Sequence, residues 1–210
     1  MIKIDLQKNN IAENQLIKIA DLFLRGLVVA YPTDTIYGLG CLAENKKAID
    51  KISKIKKRID TKCYIMLMKN FCMVHDYCLV SKKQNEYLRT VWVSKSMDLN
   101  HPENLSNKEA VTVILKSRGL LKHLENKDGN LAVRIPKNQF LLNLLKKINK
   151  PIISTSLNIS GQPTLTEVDN LEKNLANNFP DAVINIGVLK NKKPSRLIDI
   201  TNMDDIKILR

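Results

Sequence analysis

The sequence predicts an α/β fold, and three features predict it. Short apolar runs bounded by glycine or proline recur along the chain, as at Leu27–Ala30 between Gly26 and Pro32, and they read as buried strands. Segments of helical period alternate with them, as at 46–58, where Ala48, Ile49, Ile52 and Ile55 share one face and lysines take the other. Two of the apolar runs also end in polar clusters, Tyr31–Gly40 and Ser154–Gly161, so hydroxyls and amides stand at strand ends. In α/β sheets ligands tend to bind there.

A chain of 210 residues, 44% hydrophobic and 26% charged, buries a sizeable core, and with no internal repeat or low-complexity linker it is expected to form one domain over 1–210. The formal charge of +13 comes from 34 basic and 21 acidic side chains and favours polyanionic partners such as nucleotides or RNA. No basic stripe interleaved with aromatics is present to stack single-stranded RNA. The amino terminus lacks the apolar core of a signal peptide, and Arg25 or Lys146–Lys147 break the longest apolar runs, so the chain reads as cytoplasmic, with no membrane partner. Four cysteines without a Cys-x-x-Cys pair are expected to be reduced and in the core. Cys63, Cys72, His75 and Cys78 can be drawn as a zinc set, but their spacing is unlike paired knuckles, and Phe71, Met73 and Val74 suit a packed helix better.

In order, Met1–Leu6 alternates as an edge strand does. A helix follows, with Asn10 and Glu13 as a capping box, Ile11, Ile17, Ala20 and Leu24 as its apolar positions, and Gly26 closing it. It delivers the chain into the strand at Leu27. In the helix 46–58, Lys56 and Arg58 are two residues apart, so they diverge if the helix continues and meet one anion only if it ends there. Cys63–Met68 is a buried strand, Phe71–Thr90 one or two helices, and Trp92–Asn107 a loop or lid. Val111–Leu115 and Leu131–Ile135 are strands, and Arg134 inside the second requires an anionic partner, either an internal carboxylate or a bound ligand. Asn138 caps a helix through Ile148 whose apolar side is Phe140, Leu141, Leu144 and Leu145. Pro151–Ile153 opens the second strand-to-polar transition, and the two polar edges are expected to face one pocket. Thr166 is read as the cap of a last helix through about Asn178, with closing strands at Ala182–Ile186, Leu197–Ile200 and Ile206–Leu209, and a basic loop at Lys190–Arg196.

Taken together, YPTDTIYGLG at 31–40, Lys56-Lys57-Arg58 with Lys62, LAVRIP at 131–136, STSLNISG at 154–161 and Pro194-Ser195-Arg196-Leu197-Ile198-Asp199 resemble the ordered motif set of the YrdC-like family. The resemblance runs from about Leu24 to Ile200. It departs from the family pattern in Ile59, Leu157 and Arg196, and in the absence of Pro-Gly-Pro after Trp92. It implies a twisted open mixed sheet flanked by helices around a basic cavity, in the short form without a further C-terminal domain. The activity implied is that of an L-threonylcarbamoyladenylate synthase, using ATP, L-threonine and bicarbonate with Mg2+ accompanying ATP, and with tRNA or the tRNA threonylcarbamoyl-transferase complex as onward partners. The residues implied as catalytic are Lys56 and Arg58, which also bind nucleotide with Ser156, Asn158 and Ser195. Thr33, Thr35, Tyr37, Lys62 and Arg134 are implied to bind substrate. No protein-held metal is implied. As helix-end cations, Lys56 and Arg58 are expected to be exposed and dispensable for folding. A YrdC-like module that binds RNA without making the adenylate is the competing expectation.

Overall fold

The computed structural model describes residues 1–7, 11–58, 64–92, 110–169, 171–175, 178–189 and 194–210. Asn10, Ile59, Lys62, Cys63, 93–107 and Lys190 therefore lie outside the described residues.

One mixed, open sheet runs through the molecule. Its strands are β1 (Ile2–Asp5), β2 (Val29–Pro32), β3 (Tyr37–Leu42), β4 (Ile65–Leu67), β5 (Cys78–Leu79), β6 (Val111–Ser117), β7 (Asn130–Arg134), β8 (Ile152–Ser156), β9 (Ala182–Asn185), β10 (Arg196–Asp199) and β11 (Lys207–Ile208). Their order is β1-β9-β2-β3-β8-β4-β7-β6-β10-β11, with β5 paired to β6. In the middle, β3 and β8 are antiparallel, and each has a further antiparallel neighbour, β2 and β4. Parallel pairs lie outward of them at β2–β9, β1–β9, β4–β7 and β6–β10.

Alternation along the strands divides the core between two sheet faces. Val28, Ala30, Leu39, Cys41, Met66, Val133 and Ile153 face one side and pack under α2 (Lys46–Ile55), α3 (Phe71–Tyr77) and α4 (Lys82–Trp92). Val29, Tyr31, Leu42, Leu67, Ile152 and Ile184 face the other, under α1 (Glu13–Leu24) and α5 (Gln139–Ile148). In α2 the buried residues are Ala48, Ile49, Ile52 and Ile55, as its period requires, and Asn45 caps it by accepting the Ala48 N–H. Asn138 caps α5 in the same way through the Leu141 N–H.

Three expectations are corrected. α1 begins after Ala12, where Gln15 Oε1 accepts the Ala12 N–H, and it buries Leu16, Ile19, Ala20, Leu22 and Phe23 while Ile17 and Leu24 are half exposed. Ala20 is buried as expected and Ile11 packs beside the core, whereas Ile17 and Leu24 each stand one position past a buried neighbour, Leu16 and Phe23. Gly26 does close the helix, at φ +80°, with the Leu27 N–H returning to the Leu22 carbonyl. Among the described residues Thr166 starts no helix; its carbonyl accepts the Leu189 N–H, and the described helix here is α6 (Leu171–Asn174). Cys72 is exposed on α3, whereas Cys41 and Cys78 are buried and burial pushes both thiols up to about 12. No described helix is long and apolar enough to cross a membrane.

Candidate active site

β2 and β3 form a hairpin in which Pro32 pairs with Tyr37, leaving Thr33–Ile36 as the loop. Thr33 organises it. Its Oγ1 accepts the N–H groups of Thr35 at 3.0 Å and Ile36 at 3.2 Å, donates to the Ile36 carbonyl at 2.6 Å, and lies 2.9 Å from Thr35 Oγ1. These bonds pin both hydroxyls against one cavity.

β8 continues that wall, with Gly38 opposite Ser156 and Gly40 opposite Ser154. Gly38, Ser154 and Ser156 line the cavity on the sheet face that carries α1 and α5. Both glycines are sterically required. A Cβ on Gly40 would sit 2.3 Å from the Ile153 carbonyl and 3.0 Å from the Tyr31 ring, and one on Gly38 would sit 2.9 Å from Thr33 Cγ2. Tyr37 is one residue out of phase with this set. Its ring packs in the core of the opposite face, and its hydroxyl donates to the Gly187 carbonyl at 2.8 Å and accepts the Ile186 N–H at 3.0 Å. Period-2 alternation thus turns Tyr37, expected to bind substrate, away from this cavity.

The end of α2 supplies the basic wall. Lys57 takes a left-handed conformation at φ 47°, its N–H returns to the Lys54 carbonyl at 3.1 Å, and the Arg58 N–H returns to that of Ser53 at 3.0 Å. This closing pattern ends the helix at Ile55. Lys56 and Arg58 consequently line the same cavity instead of diverging. The Arg58 guanidinium lies 4.4 Å from the Tyr64 ring centroid.

Lys56 is 5% exposed, contrary to the expectation of an exposed helix-end charge. Its Nζ donates to the Ser156 carbonyl at 2.6 Å, the Asn158 carbonyl at 3.0 Å and Asn158 Oδ1 at 2.9 Å. Burial, and secondarily the charge of Arg58, lower its pKa to about 8. Ser156 Oγ donates to Asn158 Oδ1 at 2.6 Å, and Asn158 Nδ2 donates to the Gln162 carbonyl at 2.5 Å.

Arg134, 3% exposed at the end of β7, has an internal carboxylate as partner. Its Nη2 donates to Asp34 Oδ1 at 3.0 Å, and Asp34 Oδ2 accepts the Lys137 N–H at 3.3 Å. Arg134 also lines the cavity, and its Nε has no hydrogen-bond partner among the described residues. Ser195 lines the cavity as well, its Oγ 2.8 Å from Thr112 Oγ1 and its carbonyl accepting from Arg210 Nε at 3.1 Å. Arg210 lines the cavity too, with its pKa lowered by burial and then by the charge of Arg134.

Thus Thr33, Thr35, Lys56, Arg58, Arg134, Ser156, Asn158 and Ser195 meet around one cavity of about 470 Å³, Tyr37 does not, and Lys62 lies outside the described residues. Sequence reading missed Arg210 and did not single out Ser154 within its polar cluster. Ser154 was readable as the residue two before Ser156 on the same strand face. Arg210 carried no local signal, since β11 brings it in by pairing with β10. Among the described residues, four cations and no carboxylate line the cavity, and no three His, Cys, Asp or Glu side chains are grouped to hold a metal.

The family model Sua5/YciO/YrdC, described as telomere recombination, matches residues 21–210. The threonylcarbamoyl-AMP synthase of Buchnera aphidicola is 28% identical over 183 residues, covering 87% of this chain and 91% of that protein. P. abyssi Sua5, solved in complex with L-threonine, superposes with a TM-score of 0.82 at 24% identity over all of this chain and 57% of its own, so the chain spans a little over half of that protein. E. coli YciO superposes with a TM-score of 0.77 at 24% identity over all of this chain and 93% of its own.

Proposed function

The chain belongs to the Sua5/YciO/YrdC family, and from that membership and the chemistry of the cavity we propose that it is an L-threonylcarbamoyladenylate synthase. This nucleotidyltransferase forms threonylcarbamoyl-AMP and pyrophosphate from ATP, L-threonine and bicarbonate or carbon dioxide. The observation that carries the reading is the lining itself: Lys56, Arg58, Arg134 and Arg210 with six or more hydroxyl and amide side chains, and no carboxylate among the described residues. Such a lining suits ligands that present phosphates and carboxylates. The P. abyssi relative binds L-threonine on the same fold.

In the reaction, the threonine amine bonds to carbon dioxide and loses a proton, giving a carbamate. A carbamate oxygen bonds to the α-phosphorus, the bond from that phosphorus to the bridging oxygen breaks, and pyrophosphate leaves with the electron pair. No protein nucleophile is required. The site's task is to hold anions in line and stabilise charge as it moves to the leaving oxygens. We assign Arg58 and Ser195 to the phosphates, Ser156 and Asn158 to the nucleotide wall, and Thr33, Thr35 and Arg134 to the threonine and carbamate end. Lys56 adds a positive charge to the phosphate wall. Mg2+ fits as a companion of the triphosphate: the hydroxyl-rich, carboxylate-free lining offers few ligands of its own, as is usual where phosphates supply most of the coordination. Bound there, it would neutralise phosphate charge. We further propose that 1–210 acts as one domain in the cytoplasm and that the adenylate serves tRNA modification.

The test is pyrophosphate release from ATP with magnesium, omitting threonine and bicarbonate in turn, with mass detection of the adenylate. Release that needs both is expected. Release indifferent to threonine, or none from folded protein, overturns the reading.

A further inference from the structure

We propose that Lys56 acts through the 156–162 loop, as a positioning residue that fixes Ser156 and Asn158 against the cavity, and not as a hydrogen-bond donor to the phosphates. An ammonium has three N–H donors and no acceptor. In Lys56 three acceptors stand within 3.0 Å, the carbonyls of Ser156 and Asn158 and the Asn158 side-chain oxygen, with Ser156 Oγ further off at 3.4 Å. For Nζ to donate to a phosphate it must give up one of these acceptors: the Ser156 carbonyl and Asn158 Oδ1 keep a second donor in the Asn158 N–H and Ser156 Oγ, but the carbonyl of buried Asn158 would lose its ammonium bond, which is unfavourable.

The backbone of Lys56 serves the same loop. Its carbonyl accepts the Ser160 N–H at 2.9 Å, so the residue grips the loop at both ends, at 156–158 by its side chain and at 160 by its main chain. Within the loop, the Asn158 N–H returns to the Ser156 carbonyl at 3.1 Å and the Gln162 N–H to that of Ile159 at 3.0 Å. Every oxygen around Nζ is neutral, so the ammonium orders dipoles with no carboxylate beside it in this shell. Arg58, brought to the same cavity by the left-handed turn at Lys57, leaves the pair to divide its work: one cation builds the wall and the other faces the ligand.

The ligand arm of the test rests on the synthase reading; the other arm does not. In ligand-free Lys56→Met, amide hydrogen exchange at Asn158, Ser160 and Gln162 is expected to quicken while the amides of α5 keep their protection. In binding titrations, adenosine is expected to weaken along with AMP and ATP, by a factor on the order of tenfold or more. Unchanged exchange in the loop overturns the proposal. So does a loss of affinity that spares adenosine and falls on AMP and ATP alone, which marks a direct phosphate contact in place of a wall-building role. If Lys56→Met fails to fold, Lys56→Arg decides by the same two readouts, since a planar guanidinium cannot seat a tripod of acceptors. Parent protein that binds none of the three nucleotides sinks the synthase reading alone, and the exchange result still judges Lys56.

Discussion

Arg134 holds a full charge at 3% exposure, and Asp34 is what makes that tolerable. Removing one partner of a buried pair leaves the other desolvated and unmatched, so Asp34→Ala is expected to destabilise the protein by about 3–5 kcal/mol, read as a lowered urea midpoint at unchanged slope. Arg58 is the opposite case. It sits at a half-exposed helix end and faces the cavity, so Arg58→Ala should leave the urea midpoint within about 1 kcal/mol of the parent and lower pyrophosphate release by a factor on the order of a hundred or more. A large drop in the midpoint would instead make Arg58 structural. These two arginines also show which residues a sequence discloses. An arginine inside an apolar run announces that it needs an anion, although not which one. Tyr37 gives no such notice, because its direction depends on strand phase within the motif, and only the pairing of Gly38 with Ser156 fixes that phase.

At the scale of the element, the end of α2 decides whether there is a site at all. The sequence stated the condition, a helix that stops before Arg58, but not its fulfilment, since Lys57 is an unusual residue for a left-handed closing position. That predicts a gain: Lys57→Gly relieves the left-handed strain at an exposed position and should stabilise the protein by up to about 1 kcal/mol, after the greater flexibility of glycine in the unfolded chain is set against it. A lower melting temperature would show that the turn is not strained. Gly40 predicts a loss. Its absent Cβ leaves room for the Ile153 carbonyl of β8 and the Tyr31 ring, so Gly40→Ala should cost at least the roughly 1–3 kcal/mol of an overpacked core, because a strand backbone cannot move aside as a side chain can. Helices α2 and α5 were readable because several strong apolar positions agree on one face and a cap residue marks the start. The face of α1 is only partly legible, because Leu22, Phe23 and Leu24 are all apolar, and period alone does not say which of three neighbours points out.

For the whole molecule, strand positions were largely legible and strand order was not, since the antiparallel centre at β3–β8 joins segments more than a hundred residues apart and nothing local encodes that pairing. Stability against pH is likewise a property of the assembled protein, and buried groups of opposite sign contend for it. Lys56 is lowered to about 8 by burial and then by Arg58, so between about 8 and its ordinary value of 10.5 the unfolded chain holds a proton that the folded one has released. Stability contributed by this group therefore rises with pH across that window and is lost as pH falls towards 8, with a slope of at most about 1.4 kcal/mol per pH unit. Cys41 and Cys78, held up to about 12, and Tyr31, raised by burial, keep protons that the unfolded chain gives up, and they drive stability down over the same alkaline range. Parent protein alone would show only the resultant. Comparison with Lys56→Met cancels the thiols and the phenol, because they are common to both. The stability of the parent relative to the variant is expected to increase from pH 7.5 to 10 in denaturant titrations, whatever the sign of either curve. A difference that stays flat would mean that the ammonium is as well solvated in the fold as in the unfolded chain, and that its three neutral acceptors replace water in full.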